Sequence, residues 1–502
     1  MIKRLSYIFA CCIMLALGGC KDKINEPEKP TDDNGGNAVD TIVVPGDTTK
    51  NDTTQVIPET PDQRRNLEYL FDLNALPTIT ITFTQENWQQ YLDNFDANPK
   101  NDICVPAHFA FNKGQETWQR DSVGVRPRGN TSRVRPEGEK GQPHQSQNAD
   151  WHHAHFGLKF TEYTTGERFF GCDRIHLKWF HEDPAYCREV YAYDLFRRFG
   201  VWTSPHVGYC RLIIKVEGDE KPAYFGVYAM IEGIRKGWLD ARFHEGHIPD
   251  KDGNLWKAVY KSQGPADLSD MNTSYMGVAD DDETFRYNLK TNKKSLALAQ
   301  NELRSFIEGM RPLSSGSEQL KTYLEQNMDV DLFLRYLAVD VMIGSWDDYW
   351  VNANNYYFYF DSNHKFYFIP YDFDNTLGTS HGLMDNPGTH NPLYWGSREG
   401  DRLLVRKVLS VKEYEDKYKA YLKQLAADDN LFAADGSKQR IIQWHSMISK
   451  YVSNDTGEDM QIDDSPASWS SIKQYRLLSG NDKGGNQGDA NFFLTKIASL
   501  NF

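Results

Sequence analysis

Alternation of apolar and polar side chains predicts strands through the first half of the chain. The run Pro77 to Thr84 alternates strictly, and Tyr209 to Val216 and Tyr224 to Ile231 flank a Gly-Asp turn. Such period-two patterns are typical of strands with one buried face. His155 to Phe160 has the same character, so residues 65–240 are predicted to form a β-rich region.

Helical spacing of apolar residues dominates the second half. The segment Asp331 to Ile343 carries apolar side chains on one face, which predicts an amphipathic helix. Asp329 or Asp331 is a suitable N-cap for it. Residues 251–290 form a polar stretch that is interpreted as an insert. Residues 241–502 are therefore predicted to be mostly helical, and the whole chain to be an α+β protein.

The stretch 344–378 combines an aromatic hairpin with acidic and amide side chains. Tyr356 to Phe360 and Lys365 to Tyr371 are predicted strands, joined by the turn residues 361–364. Because a hairpin places its two ends side by side, the polar residues before the first strand are expected beside those after the second. These residues are Asp347, Asp348, Asn352, Asn354, Asn355, Asp372 and Asp374.

This order of side chains suits phosphoryl transfer. Hard cations such as Mg²⁺ and Mn²⁺ take oxygen ligands, and kinases present a carboxylate base, an asparagine and then an aspartate that binds the metal. The alternative is that these Asp and Asn residues only cap turns at both ends of the hairpin. The constellation as a whole favours a functional site.

Three further features are candidates for contacting a cofactor. The run from Arg128 through Gly129 to Ser132 offers a guanidinium, a flexible backbone and hydroxyls, which are the parts of an anion-binding turn. Lys159 lies in a strand after this turn, and Glu232 lies at a strand end, where it can pair with a lysine or a metal. The ordinary alternatives are a Gly-Asn turn, a solvated lysine and a strand-end acid.

The first twenty residues are predicted to be a processing signal. Lys3 and Arg4 precede a short apolar run, which ends in Leu-Gly-Gly-Cys at Cys20. That tetrapeptide resembles the lipobox of bacterial lipoproteins, so Cys20 is expected to carry a lipid anchor. A plain secretory leader is the alternative. Residues 21–64 are rich in Asp, Asn, Pro, Gly and Thr and are predicted to be a flexible linker.

Composition and charge restrict the class of partner. The chain has 502 residues, of which 13% are aromatic, and a formal net charge of −14. This composition is that of an ordinary globular protein. The sequence contains no basic stripe, which argues against a nucleic-acid partner.

Cysteine and histidine spacing does not define a metal site. The cysteines beyond the linker are Cys104, Cys172, Cys187 and Cys210, and the clustered histidines are His144, His152, His153 and His155. Neither set has the spacing of a zinc motif. The histidines are interpreted as part of a solvated loop. For the cysteines, a disulfide in an oxidising compartment and buried thiols both stay open, and Cys172 and Cys187 are the nearest pair.

Five motifs resemble the CotH kinase family, the spore-coat protein H kinases. They are RGNTS at 128–132, HFGLKF at 155–160, REVYAYDLFRRFG at 188–200, FGVYAMIEGI at 225–234, and WDDYWVNANNYYFYF with FIPYDFDNTLG within 346–378. Their order over roughly three hundred residues makes the resemblance specific. It implies an atypical protein-kinase-like fold of two lobes, with a β-rich N-terminal lobe, a mostly helical C-terminal lobe and the nucleotide between them.

The resemblance also implies roles for single residues. Asp347 matches the catalytic base, Asp372 matches the metal ligand, and Asp374 is a second metal candidate. Asn355 matches the metal-binding asparagine. Asn352 instead has the spacing of the protein-kinase element, five residues after the base, so which asparagine binds metal stays open.

The predicted reaction is transfer of the ATP γ-phosphate to a hydroxyl of a protein Ser or Thr or of a small molecule, with Mg²⁺ or Mn²⁺. Arg128, Ser132 and Lys159 are expected to neutralise the phosphates, with Glu232 as a further cofactor-binding residue. The expected location is the cell envelope, at the outer membrane, through the anchor at Cys20. ATP has no evident supply there, so two alternatives remain: a non-catalytic surface lipoprotein that keeps the kinase-like fold and binds glycan or protein, and a metal-dependent hydrolase.

Overall fold

The computed structural model describes residues 67–130, 132–181, 183–244, 250, 252–279, 284–379, 387–396, 402–459 and 492–502. The predicted leader with its Cys20 and the predicted linker at 21–64 lie outside these residues. All described residues belong to one compact unit, Val56–Phe502. Helices and strands are both abundant, which confirms the α+β fold class.

Seven strands from the first half of the chain close into a barrel. They are β1 (Thr78–Phe83), β2 (Val105–Lys113), β3 (Glu116–Arg128), β4 (His155–Lys159), β5 (Arg174–Lys178), β6 (Val207–Val216) and β7 (Ala223–Glu232). Their order is β1-β2-β3-β4-β5-β7-β6, and β1 closes the barrel by pairing parallel to β6. The strand pattern predicted a β-rich region but not its closure, because closure depends on pairing between the most distant strands.

Alternation along the strands fills the barrel with apolar side chains. On β1, Ile79, Ile81 and Phe83 are completely buried in the barrel core. Short helices pack around the barrel: α1 (Leu67–Leu70) and α2 (Gln85–Ala97). Thr84 caps α2 by accepting a hydrogen bond from the backbone of Asn87. One side of the barrel strands therefore holds the core, and the other side is available for a site.

A second sheet of five strands lies in the part of the chain that follows the barrel. Its strands are β8 (Asn254–Ala258), β9 (Met276–Gly277), β10 (Tyr287–Leu289), β11 (Tyr356–Phe360) and β12 (Phe366–Pro370), in the order β12-β11-β8-β10-β9. The predicted hairpin is confirmed, because Phe358 pairs antiparallel with Phe368. The interpretation of residues 251–290 as an insert is wrong, since β8 lies in the middle of this sheet.

Helices complete the second half. They are α3 (Arg188–Arg198), α4 (Lys236–Leu239), which continues into a π-turn at Asp240–His244, then α5 (Leu296–Met310), α6 (Glu318–Asn327), α7 (Val330–Met342), α8 (Leu403–Leu409), α9 (Lys412–Ala427), α10 (Ala434–Ile448) and α11 (Phe492–Ala498). Asp329 is the N-cap of α7, and its side chain accepts from the backbone of Leu332. Although α3 comes from the first half, it belongs to the core of the second sheet and its helices.

The structure shows the chemical state of the cysteines and the burial of the clustered histidines. Cys104, Cys172, Cys187 and Cys210 are all thiols. The interpretation of the histidines as a solvated loop is wrong for His144, His153 and His155, whose side chains are buried, and His155 begins β4. No helix among the described residues is long and apolar enough to cross a membrane.

Candidate functional site

A polar cleft lies along the outer face of β3, β4 and β5, opposite the second sheet and the ends of β11 and β12. Its empty volume is about 1230 Å³, including space open to solvent. Among the described residues, nine Lys and Arg side chains and four Asp side chains line it. In a chain with a net charge of −14, such a concentration of cations favours an anionic ligand at this place.

Strand alternation creates the cationic wall of the cleft. Ile175 and Leu177 of β5 are buried in the barrel core, so Arg174, His176 and Lys178 point to the opposite face. All three of these polar side chains line the cleft. One five-residue strand therefore supplies a row of basic groups about 13 Å long, at about 3.3 Å per residue.

Lys178 lies at the centre of a carboxylate cluster. Its Nζ is 2.6 Å from Glu189 Oε2, 2.6 Å from Asp372 Oδ1 and 3.3 Å from Asp374 Oδ2. Burial raises the pKa of Asp372, but Lys178 and Arg128 outweigh it and lower that pKa to about 2. Burial, with Asp372 and Asp374 nearby, raises the pKa of Glu189 to about 7 although Lys178 opposes it. Asp372 is thus the most acidic group of the cluster.

The backbone at Asp372 is strained. Asp372 directly follows Tyr371 after β12 and has φ of 65°, a left-handed conformation that costs a residue other than glycine about 1 kcal/mol or more. Its N–H donates to the hydroxyl of Tyr193 on α3 at 2.9 Å. This contact holds the strained residue in place and directs its carboxylate toward Lys178.

Asp347 is held by a ring of asparagine side chains. Its Oδ1 accepts hydrogen bonds from Asn352 at 2.6 Å and Asn354 at 2.9 Å, and its Oδ2 accepts one from Asn355 at 2.9 Å. Burial raises the pKa of Asp347 to about 7 against the lowering effect of the amides, and the negative charges of Asp374 and Asp372 add to the rise. A carboxylate with such a pKa is suited to accept a proton near neutral pH.

The turn at Arg128 meets the end of the hairpin. Arg128 donates a hydrogen bond to the hydroxyl of Tyr371, the residue before Asp372. Gly129 has φ of 106°, and a Cβ there would lie 3.0 Å from Ser132 Oγ, so a side chain would crowd the turn. Arg128, Gly129 and Ser132 all line the cleft with Asp347 and Asp372. The basic turn and the acidic hairpin ends therefore share one site.

Comparison with known proteins assigns the family. The model of the family described as CotH kinase protein matches residues 125–476, which is more than half of the chain. The chain belongs to the CotH kinase protein family. The match starts within β3 and includes the basic turn, the row on β5 and the hairpin.

Individual CotH relatives are distant. The chain is 22% identical over 315 residues to Spore coat protein homolog 1 of Rhizopus delemar, covering 62% of this chain and 44% of the relative. It is 23% identical over 369 residues to Invasin CotH3 of the same fungus, covering 70% and 53%. Inner spore coat protein H of Bacillus subtilis is 24% identical over 287 residues, covering 57% and 70%. The chain spans about half the length of the first fungal relatives.

Two of the predicted cofactor-binding residues of this CotH chain do not line the cleft. Lys159 forms an ion pair with Glu162, three residues further on. Glu232 is buried and accepts hydrogen bonds from Arg242 Nη2 at 2.6 Å and from His206 Nδ1 at 2.8 Å. Arg242 outweighs burial and, with His206, places the pKa of Glu232 far below its usual range. Glu232 thus fixes the end of β7 rather than meeting a lysine of the site.

Sequence reasoning missed Lys178 and Glu189. The signal was present in Arg-Ile-His-Leu-Lys at 174–178, where three polar groups alternate with two apolar ones on a strand. It was not decisive, because HFGLKF at 155–160 offers a lysine in a similar pattern. Glu189 was hidden within the helix α3, where it is buried close to the helix start.

The paired acids Asp347 and Asp348 have different surroundings. Asp348 Oδ1 accepts a hydrogen bond from the backbone of Val351 at 2.7 Å. Its carboxyl interacts with that of Asp340 on α7, and burial raises the pKa of both groups. Of these two consecutive acids, only Asp347 lines the cleft. Asp347 is therefore the candidate for the functional site.

The acidic cluster fits a divalent cation. One oxygen from each of Glu189, Asp372 and Asp374 lies within 4.8 Å of the others, and Lys178 already places a positive charge among them. Carboxylate oxygens are the preferred ligands of Mg²⁺ and Mn²⁺. Asn355 lines the same cleft, whereas Asn352 does not appear in its lining. Of the two asparagines, the geometry therefore favours Asn355 as an additional ligand.

Proposed function

We propose that this CotH protein is an atypical kinase that transfers the ATP γ-phosphate to a hydroxyl, most simply that of Ser or Thr in a protein. One observation carries the proposal: Asp347, the pair Asp372 and Asp374, and the basic turn at Arg128 line one cleft. A proton acceptor, metal-binding acids and phosphate-binding cations are the parts that phosphoryl transfer needs together.

Asp347 is assigned as the general base. It accepts the proton of the acceptor hydroxyl while the three asparagine amides hold its carboxylate in one orientation. Those amides donate to the ionised carboxylate, so they limit the effect of burial on its pKa. The base is thereby kept in a fixed position and becomes ionised near neutral pH.

Lys178 and Arg128 are assigned to the phosphates. Lys178 is oriented by Glu189 from α3, as a strand lysine paired with a helix glutamate is in protein kinases. Asp372, Asp374 and Glu189, with the amide oxygen of Asn355, would hold Mg²⁺ or Mn²⁺. The bound cation would neutralise charge on the transferred phosphoryl group.

The same proposal includes a kinase-like arrangement of two lobes. The barrel would serve as the N-terminal lobe, and the second sheet with its helices as the C-terminal lobe, with ATP in the cleft along β3 to β5. Charge favours this place for the nucleotide, since Arg128 and Lys178 come from the barrel while Asp347 and Asp372 follow α7 and β12.

We further propose an envelope location. The Leu-Gly-Gly-Cys sequence at Cys20 supports a lipoprotein tethered to the membrane through this residue, at the outer membrane. Relatives named as spore coat proteins support a surface-associated role. The proposed partners are a protein or small hydroxyl substrate and the membrane, without nucleic acid.

A decisive experiment incubates the full-length protein with labelled ATP, Mn²⁺ and an acceptor protein. Asp347→Asn and Asp372→Asn are expected to reduce label transfer by roughly a hundredfold or more, because base and metal ligand both act on the transition state. Asp93→Asn, an exposed acid on α2, is the matched control and is expected to be unaffected. Full transfer by Asp372→Asn would discard the proposal, and release of free phosphate without labelled acceptor would favour a metal-dependent hydrolase.

The glycan-binding alternative receives little support from the described residues. Their exposed large apolar side chains are Ile103, Tyr163, Tyr260, Leu298, Tyr394 and Leu494, a set without Trp. Trp88, Trp238, Trp256 and Trp395 are instead almost fully buried. The aromatic residues thus serve the two cores, and stacking platforms for sugars are scarce in the described surface.

A further inference from the structure

The cleft continues past the proposed phosphate site into a group of arginines around His176. Arg126, Arg174 and Arg235 line this end together with His176. His176 is 8% exposed, and its Nδ1 is buried without a hydrogen-bond partner among the described residues. A buried imidazole nitrogen normally has a partner, so this one is available to a ligand that enters the cleft.

Backbone pairing explains why these side chains converge. Gly157 of β4 pairs with Arg126 on one side and with His176 on the other. A Cβ at Gly157 would lie 3.4 to 3.8 Å from the Cγ, Nε and Cζ atoms of Arg126. The Arg126 side chain therefore lies across the glycine, in the space that a larger residue would take, and extends toward β5.

Within this group, the Arg174 side chain has no acidic partner among the residues that the structure describes. Asp102 forms an ion pair with Arg126, whereas the guanidinium of Arg174 makes no hydrogen bond or ion pair to the described residues. Burial first, and then Arg235 and Arg126, lower the pKa of Arg174 to about 10. Burial and the surrounding arginines also keep the pKa of His176 well below its usual value. Like charges held together in this way are stabilised when an anion binds between them.

We propose that Arg126, Arg174, Arg235 and His176 form a second phosphate subsite, which holds a phosphate ester already present on the acceptor. This inference rests on the proposed kinase function. Arg174 is four residues from Lys178 on β5, about 13 Å along the strand. This distance separates the subsite from the nucleotide phosphates at Lys178. Because Asp347, which receives the acceptor hydroxyl, lines the same cleft, the preferred acceptor carries a phosphoserine in the same segment as the receiving hydroxyl.

The phosphates of ATP have the same chemistry as a phosphate ester on the acceptor, so the nucleotide is a second source of an anion for this subsite. The test therefore uses full-length protein saturated with a non-hydrolysable ATP analogue and Mn²⁺. Pairs of peptides are titrated by calorimetry: in each pair, one peptide carries a phosphoserine between about two and about six residues from a serine, and the other lacks the phosphate. In at least one pair, the phosphopeptide is expected to bind at least about tenfold more tightly, since a charge-assisted contact to phosphate is among the stronger hydrogen bonds.

Arg174→Gln is the informative variant. It is expected to remove most of the preference for the phosphopeptide, and this loss should exceed any loss of analogue affinity by about tenfold. Arg304→Gln, which removes an exposed ion pair with Glu308 on α5, should keep the preference. Without ligand, Arg174→Gln should melt at the same temperature as the unmodified protein or higher, because it relieves repulsion; this separates a binding role from misfolding.

Three results overturn the inference. Equal binding of the two peptides in every pair shows that no acceptor phosphate is recognised. A preference for the phosphopeptide that is present without the ATP analogue and lost when the protein is saturated with it shows that the arginines belong to the nucleotide site. Failure of the analogue to bind at all refutes the proposed function instead, and with it the acceptor role, which distinguishes the two failures.

Discussion

Asp347 is the residue on which the pH dependence of the proposed reaction depends. Burial, followed by the charges of Asp374 and Asp372, raises its pKa from 3.8 to about 7. A general base is active when deprotonated, so kcat/KM should fall as the pH drops through this pKa. A bound cation offsets the two neighbouring charges but not burial, and we expect an inflection between pH 3.8 and about 7. A rate profile that is flat from pH 4 to 8 would contradict the assignment.

Glu189 offers a test of how Lys178 is positioned. Glu189→Gln keeps the shape of the side chain but removes the charge that holds Lys178 at 2.6 Å. We expect kcat/KM to fall about tenfold to a hundredfold, as for other groups that position a catalytic charge. Stability at pH 8 should not fall, because a carboxyl whose folded pKa is raised to about 7 costs the folded state free energy when it is ionised, and Gln does not carry that charge.

The matched control for this variant is Glu302→Gln. Glu302 is also largely buried, with its carboxylate bound to Asn254 at 2.7 Å and to His364, and it lies outside the cleft lining. Kinetic constants of Glu302→Gln should equal those of the unmodified protein. A comparable kinetic loss in both variants would indicate a general effect on folding rather than a specific role of Glu189.

Single residues also mark the limit of what the sequence can predict. Asp347, Asp372 and the Arg128 turn were located because hairpin geometry brings chain neighbours together. Lys178 and Lys159 lie on the same outer face of adjacent strands, since Lys159 pairs with Arg174. Only Lys178 lies at the position along the strands that meets Asp372, and the assembled fold determines that position. Pairing across distant strands depends on the whole fold, which no local period encodes.

At the level of elements, the loop between β3 and β4 is fixed to the barrel by His144. Its ring lies between Glu137 Oε2 and Asp219 Oδ1, each at 2.8 Å, and all three side chains are nearly buried. Burial lowers the pKa of His144, but the two acids outweigh it and the net pKa is raised. The two ion pairs of His144 thereby connect the loop to the turn between β6 and β7.

Because of these two ion pairs of His144, we expect the stability of the folded protein to depend on pH. The folded-state pKa of His144 lies above its unfolded value of about 6.5, so its contribution is full below pH 6.5 and is lost as the pH rises through the folded pKa. His144→Gln should therefore cost about 1–3 kcal/mol at pH 6 and less at pH 9, measured by urea unfolding. His108→Gln, whose partner Asp121 is exposed, should cost little at either pH.

The strands differ in how clearly their sequence patterns predicted them. The hairpin β11–β12 was predicted because its turn residues and aromatic strands are adjacent in sequence. The central strand β8 was missed since four of its five residues, Leu255 to Ala258, are buried in succession. A short strand buried on both faces shows no alternation, and its place in the sheet comes from pairing with β11, about a hundred residues later.

At the level of the whole molecule, barrel closure depends on residues outside the matched family region. The match begins at residue 125, whereas β1 pairs with both β2 and β6 and is the strand that closes the barrel. Its side chains Ile79, Ile81 and Phe83 are completely buried. Each such side chain contributes about 1.5–3 kcal/mol, so their sum is comparable with the net stability of a typical domain, about 5–15 kcal/mol.

A fragment of residues 125–502 is therefore expected not to fold, while residues 60–502 should fold. Without β1, β2 and the first nine residues of β3, the remainder of β3 and β6 gain open edges and the barrel core becomes exposed. The strands that carry Arg128, Arg174 and Lys178 would then lose the support that holds them along the cleft. Near-ultraviolet circular dichroism and thermal melting of both fragments test this. A cooperative transition of residues 125–502, with the same near-ultraviolet spectrum as residues 60–502, would contradict the prediction and show that the cationic wall forms without barrel closure.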